Sequence, residues 1–219
     1  MTFSLIGRCA KTGAFGAAVT TSSIAVGSRV PFCAPGIGAV LTQHRTDPRL
    51  GPRGIALLRS GCAAAETVAA LAASTPHHRW RQLAAIDAAG RTAHFHGAAV
   101  KPFHNDAHGK DVVAIGNILA NDLVPRAMAD AFLAAFDEPL AERLLRGLEA
   151  GEAAGGEHGE VRSAVLIVVE KEVFPLVDLR VDWADAPIPA LRVLWDRYRP
   201  DTHEYVVRAT DPEVAKPVT

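Results

Sequence analysis

Along the first forty-odd residues the apolar positions fall in short runs punctuated by glycine, a strand pattern rather than a helical one. Thr2 to Arg8 carries Phe3, Leu5 and Ile6, and Ala14 to Thr21 carries Val19 and two threonines. Lys11-Thr12-Gly13 between them is turn-like, so the two runs predict an antiparallel hairpin. Ser23 to Val30 and Ile37 to Gln43 are further strand candidates, the second leading into the polar run Thr42-Gln43-His44-Arg45. The character changes at Gly51-Pro52-Arg53-Gly54. Beyond it, Ile55, Leu57, Leu58, Ala63 to Val68 and Leu71 suit two alanine-rich helices broken near Ser60-Gly61.

The second half repeats the alternation. Gln82 to Asp87 and Arg91 to His96 flank Ala88-Ala89-Gly90 as a second hairpin, and Val112 to Asn117 reads as a short strand. Arg126 to Phe136 and Leu140 to Ala150 carry apolar residues at helical spacing. Ser163 to Val169 is a continuous apolar run, as expected of a strand covered on both faces. Val177 to Val181 alternates, and Ala190 to Arg197 suits a last helix. Strands, helices, strands, helices, strands in that order are accommodated by two antiparallel sheets with helices outside. A doubly wound dinucleotide fold would alternate strand and helix from the start, and Gly36-Ile37-Gly38 leads into a strand, so no dinucleotide site is expected. No linker or repeat interrupts the pattern. One domain over residues 1–200 with a polar tail, 201–219, is the expected organisation.

Composition narrows the function classes. With 219 residues, 49% hydrophobic and 21% charged, the chain suits one sizeable core and not a disordered ensemble. A net charge of −1 offers no electrostatic case for nucleic acid or an anionic membrane. Cys9, Cys33 and Cys62 form no C-x-x-C pair and read as reduced, small buried residues. No apolar run approaches the roughly 20 residues needed to span a bilayer, and Met1-Thr2-Phe3-Ser4-Leu5 lacks the layout of a signal peptide. A cytoplasmic protein acting on a small molecule is expected, with no cofactor and no resident metal, and with a homodimer left open.

Position 2 carries the sharpest chemistry. A small second residue permits removal of the initiator Met, leaving Thr2 with a free α-amine. Such an amine has an ordinary pKa of about 7.7–8.0, so one residue supplies both a nucleophilic hydroxyl and a general base. If the hairpin forms, Thr2 lies opposite roughly Thr20. The hydroxyls of Thr21, Ser22 and Ser23 then surround it and can orient the amine. Threonine also simply suits strands, so the residue type alone does not decide.

Several stretches together resemble one family: Thr2-Phe3-Ser4, Ala25-Val26-Gly27 with Val30-Pro31, Gly36-Ile37-Gly38-Ala39-Val40 with Thr42-Gln43, Gly51-Pro52-Arg53-Gly54, Gly116-Asn117, Glu149-Ala150-Gly151 with Gly155-Gly156, Ser163-Ala164, and Val177 to Asp182. From Thr2 to about Leu191 the chain resembles the domain of unknown function 1028 family, bacterial proteins grouped with the N-terminal-nucleophile (Ntn) hydrolases. The resemblance implies an α/β fold of the Ntn-hydrolase-like type, an αββα four-layer sandwich of two antiparallel sheets with outer helices. It also implies amide-bond hydrolysis as a class. The chain departs from the family pattern at Ser22-Ser23, Asp106, Ile115 and Arg162, so the resemblance names no substrate.

Other residues complete the expected site. Asn117, ending a strand, can donate to an oxyanion. Gln43, His44 and Arg45 lie where a strand should reach the rim beside Thr2, and Arg45 can hold a substrate carboxylate. The expected activity is therefore hydrolysis of a small amide, lactam or ureido compound. Two rivals belong to other classes. One is a catalytically silent binding module of the same fold. The other is a zinc hydrolase built on His94, His96, His104 and His108, against which stand a loop-like setting around Asn105 to Lys110 and the absence of a completing Cys or Glu. Glu157, His158 and Glu160 read as solvating a glycine-rich loop, and Asp178, Arg180 and Asp182 as a structural ion network.

Overall fold

The computed structural model describes residues 1–216. The hairpin forms as the turn chemistry predicts: β1 (Thr2–Arg8) pairs antiparallel with β2 (Phe15–Thr21), Thr2 facing Thr21 rather than Thr20. After β3 (Pro31–Ala34) and β4 (Gly38–His44) come α1 (Leu50–Arg59) and α2 (Ala64–Ala73). A second block of strands follows: β5 (Arg81–Asp87), β6 (Thr92–His96), β7 (His104–Gly109) and β8 (Val112–Asn117). Then come α3 (Val124–Ala134), α4 (Leu140–Ala153), β9 (Ser163–Val169), β10 (Val177–Val181), α5 (Pro187–Tyr198) and α6 (Thr202–Thr210). Six strands form one sheet in the order β10-β9-β2-β1-β8-β7, and four form the other in the order β3-β4-β5-β6.

Three apolar clusters show how the layers stack. Ile6, Ala17, Val19, Val113, Ile115, Val165 and Ile167 of the larger sheet meet Ala39, Leu41, Ala84 and Ile86 of the smaller one, so the sheets lie face to face. The opposite face of the larger sheet, with Phe3, Leu5 and Leu166, packs on Met128, Phe132, Leu144, Leu148 and Leu191 of α3, α4 and α5. Val40, Leu83 and Ala85 of the smaller sheet pack on Leu50, Val68 and Leu71 of α1 and α2. The result is the αββα four-layer sandwich. Period-two alternation sets it up, since successive residues of a strand serve different layers. Close approach of α4 needs glycine: a Cβ on Gly147 would lie 2.6 Å from Leu5 Cδ1, and one on Gly151 2.7 Å from Met128 Cγ. Helix α5 is clamped by Glu142, which accepts from Arg192, Arg146 and Trp195. Burial opposes ionisation of Glu142, yet those three donors hold its carboxyl down at about 2.

Three expectations change. Ser23 to Val30 is not a strand: Ala25 adopts a left-handed φ of 54°, a 3₁₀ turn spans Val26–Ser28, and Pro31 opens an edge strand, where its missing N–H costs no ladder bond. Gly51-Pro52-Arg53-Gly54 lies inside the first turns of α1, where a proline N–H would have no helical partner. The segment around Asn105 to Lys110 is largely the strand β7, because pairing with β8 overrides its loop-like composition. The polar tail after Pro200 carries a helix, α6, whose Tyr205 ring stacks 5.0 Å from that of Tyr198. Positions 217–219 of that tail lie outside the described residues. Among the described residues no helix is long and apolar enough to cross a membrane.

Candidate functional site

The apolar layer between the sheets turns polar at one end. Thr2, Ser4, Thr21 and Asn117 share the inner face with Ile6, Val19 and Ile115 by alternation, and Gln43 and Gln82 answer them from the smaller sheet. Thr2 lies between two partners, facing Thr21 on β2 and Asn117 on β8. Its Oγ1 is 3.1 Å from Thr21 Oγ1, and both hydroxyls donate to the Met1 carbonyl. Thr2 opens onto a cleft of ≈ 270 Å³ whose lining includes Thr21, Ser23, Arg29, His44, Arg45 and Lys101.

Five of the residues singled out in the sequence thus share one cleft: Thr2, Thr21, Ser23, His44 and Arg45. Ser22, Gln43 and Asn117 do not line it. Ser23 Oγ accepts from Arg29, which also donates to the Ile24 and Ala25 carbonyls and so shapes the loop after β2. His44 has a left-handed φ of 59° that turns the chain out of β4 and projects Arg45 across the Trp80 ring, 5.4 Å from its centroid. His44 Nδ1 donates to the Trp80 carbonyl, leaving Nε2 as the free ring nitrogen, and burial holds its pKa below the usual imidazole value.

Gln43 and Asn117 are tied instead to Gln82, a residue the sequence reading passed over. Gln82 Oε1 accepts from Gln43 Nε2 at 2.6 Å and Asn117 Nδ2 at 2.8 Å. Its Nε2 donates to the Gly116 carbonyl at 2.7 Å and to His96 Nδ1 at 2.8 Å. Ser4 donates to Gln43 Oε1. Asn117 gives one Nδ2–H to Gln82, its buried Oδ1 has no partner, and it stands behind the cleft instead of in its lining. The signal for Gln82 was a lone amide amid the inward-facing apolar positions of Gln82 to Asp87, easily taken for a strand end.

Glu157 was expected to solvate a loop and is instead buried, 6% exposed, with neither carboxylate oxygen hydrogen-bonded. It faces the Met1 α-amine. Burial pushes the Glu157 carboxyl up to about 8, against the pull of the amine's positive charge. Burial likewise lowers the amine, helped by Lys101 and opposed by Glu157. The pH consequence follows from the ordinary Glu value of 4.5. Below it both folded and unfolded chains hold the proton; between 4.5 and about 8 the unfolded chain releases it first, so this group lowers stability as pH rises, and above about 8 the loss is complete. Glu157→Gln should therefore stabilise the protein at pH 8.5 by about 1–3 kcal/mol and leave it unchanged near pH 4. Urea unfolding of both proteins at several pH values reads this out; parallel curves between pH 5 and 8 would refute it.

A second polar cluster lies where the edge strands β6 and β7 face each other. Thr92, His94, His96, Asp106 and His108 meet there, with His104 beside His96. The Nε2 atoms of His94, His96 and His108 lie 3.2, 3.3 and 3.4 Å from the Asp106 carboxylate. The sequence pattern placed His94 and His96 on one face; only the pairing of β7 brought Asp106 and His108 to them.

An αββα sandwich with a hydroxyl-lined cleft at one end of its inner layer is thus the class this fold and site define. The chain belongs to the family of unknown function DUF1028, whose model matches residues 2–191. It is similar to the crystal structure of protein SPO2555 from Silicibacter pomeroyi, with 31% identity and a TM-score of 0.84 over 90% of this chain and 88% of that one. Anbu (ancestral β-subunit) from Yersinia bercovieri aligns at 11% identity and a TM-score of 0.41, covering 93% and 97% of the two chains. No curated protein matches the chain.

Proposed function

We propose that this chain is an Ntn-type hydrolase that cleaves a carbon–nitrogen bond in a small amide, lactam or ureido compound bearing a carboxylate. The observation that carries the proposal is Thr2 Oγ1, 3.1 Å from Thr21 Oγ1 at the mouth of the cleft. Once Met1 is removed, the Thr2 α-amine remains where the Met1–Thr2 peptide nitrogen now stands, one bond from the Thr2 Cα. The Thr21 hydroxyl, 3.1 Å from Thr2 Oγ1, is the group we assign to orient that amine. The amine takes the proton of Oγ1 as this oxygen attacks the substrate carbonyl, then gives it to the departing nitrogen; water resolves the ester by the reverse course. Asn117 acts through its pairing with β1 and its bond to Gln82, as a positioning residue.

The substrate class rests on charge. Arg29, Arg45 and Lys101 line the cleft, no carboxylate does, and none of the three has an ion-pair partner among the described residues. A substrate carboxylate supplies the missing charge, and Arg45 can bind it bidentately.

Processing tests the reading first. Intact mass of protein expressed in bacteria should show Met1 absent, and a screen of carboxylate-bearing amides, lactams and ureido acids should find turnover only in the processed form. Thr2 is only 6% exposed, so Met1 must leave before or during folding. Full activity in a preparation that retains Met1 entirely would end the single-residue mechanism.

A further inference from the structure

The geometry points to a divalent metal site, with zinc as its best-suited ion, held by His94 Nε2, His96 Nε2 and the Asp106 carboxylate between the edges of the two sheets. This site is separate from the Thr2 cleft, and Gln82, bonded to both His96 and Asn117, links the two. The three ligand atoms lie within 4.8 Å of one another. Both nitrogens stand 3.2–3.3 Å from the same Asp106 oxygen. A charge-assisted hydrogen bond closes to about 2.7–2.9 Å. A tetrahedral ion with bonds of about 2.0–2.1 Å sets its ligands apart by about 3.3–3.4 Å, which is the spacing found. Only the His94–His96 edge must shorten, by rotation of two imidazoles on one strand.

Charge and outer contacts favour the same occupant. Asp106 meets three imidazoles, and no lysine or arginine pairs with it among the described residues. A cation between the rings and the carboxylate satisfies it. His94 is already oriented as a ligand: its Nδ1 lies 2.8 Å from His108 Nε2, and His108 Nδ1 lies 2.6 Å from Thr92 Oγ1. A ring proton on each Nδ1 makes a continuous chain that leaves His94 Nε2 as a lone pair. His96 is the costlier ligand. Its Nδ1 now accepts from Gln82 Nε2, so its proton sits on Nε2 toward Asp106. Ligation moves that proton to Nδ1 and requires the Gln82 amide to turn its oxygen to the ring, at the expense of its bonds to the Gly116 carbonyl, Gln43 Nε2 and Asn117 Nδ2. Affinity in the micromolar rather than nanomolar range follows. Three protein ligands leave the fourth position to water, and the ion would tie β6 to β7, the facing edges of the two sheets.

The test uses untagged protein stripped with a chelator and desalted, with zinc chloride titrated calorimetrically and the Tm followed in parallel. One equivalent should bind at micromolar Kd, with a Tm that rises with zinc. Asp106→Asn and His94→Ala should each weaken binding at least about tenfold, whereas Thr2→Ala should bind as the unaltered protein does. Circular dichroism of the metal-free variants checks that each is folded. Cobalt(II) added to the unaltered protein gives a second readout that needs no variant: a tetrahedral visible spectrum that zinc abolishes. No binding below about 100 µM zinc, or undiminished binding by folded Asp106→Asn and His94→Ala, would overturn the site.

Discussion

Folded Thr2→Ala protein should lose turnover by at least about a thousandfold, while Thr2→Ser keeps a measurable rate. The alanine variant removes the attacking oxygen but preserves the α-amine, the strand and a second residue small enough for Met removal. The serine variant keeps all of these and deletes one methyl group. Loss of a nucleophile elsewhere costs several orders of magnitude, leaving only what binding and electrostatic stabilisation supply. Thr21→Ala should fall between the two, because Thr21 Oγ1 contacts Thr2 Oγ1 without being the attacking atom. Both threonines are buried, at 6% and 3% exposure, so melting temperatures must accompany the rates. Turnover of folded Thr2→Ala at the unaltered rate would exclude Thr2 as nucleophile and return the cleft to a binding role.

The largest stability effect is expected at Gln82, not at an apolar residue. Gln82→Leu keeps the volume of the side chain but removes four hydrogen bonds at once from a fully buried position. Gln43 Nε2, Asn117 Nδ2, the Gly116 carbonyl and His96 Nδ1 would each be left without a partner. An unsatisfied buried group costs about 1–3 kcal/mol, and the four are coupled, so a loss of about 3–6 kcal/mol is expected. That is a large part of the 5–15 kcal/mol typical of a whole domain. Urea unfolding should show a lowered midpoint at an unchanged slope. A loss below about 1 kcal/mol would mean that the amide network relaxes freely, and the positioning role given to Asn117 would fall with it. The same variant reaches the site, since Asn117 faces Thr2 across the strand pair.

How much of this could be seen in the chain follows from which interactions are local. The short apolar runs along β1, β2, β8 and β9, the turn at Lys11-Thr12-Gly13 and the helical spacing of Leu144, Leu145 and Leu148 are properties of adjacent residues, so strands, hairpin and helices were legible. So was the hydroxyl group around Thr2, because a hairpin partner is fixed by the turn between the strands. The rest needed contacts between segments far apart in sequence. Gln82 joins Gln43, Asn117 and His96 only because β4, β5 and β6 are neighbours in one sheet and β8 faces them from the other. Glu157 looks like any loop carboxylate until the chain closes over it. Asp106 stands in a segment with no strand signature of its own, made into a strand by β8 and turned toward His94 and His96 by the packing of two sheets. Local pattern determined what each segment of this protein would become. Which polar groups were buried together was decided by tertiary packing, because desolvation and shared hydrogen bonds come into being only once the layers meet.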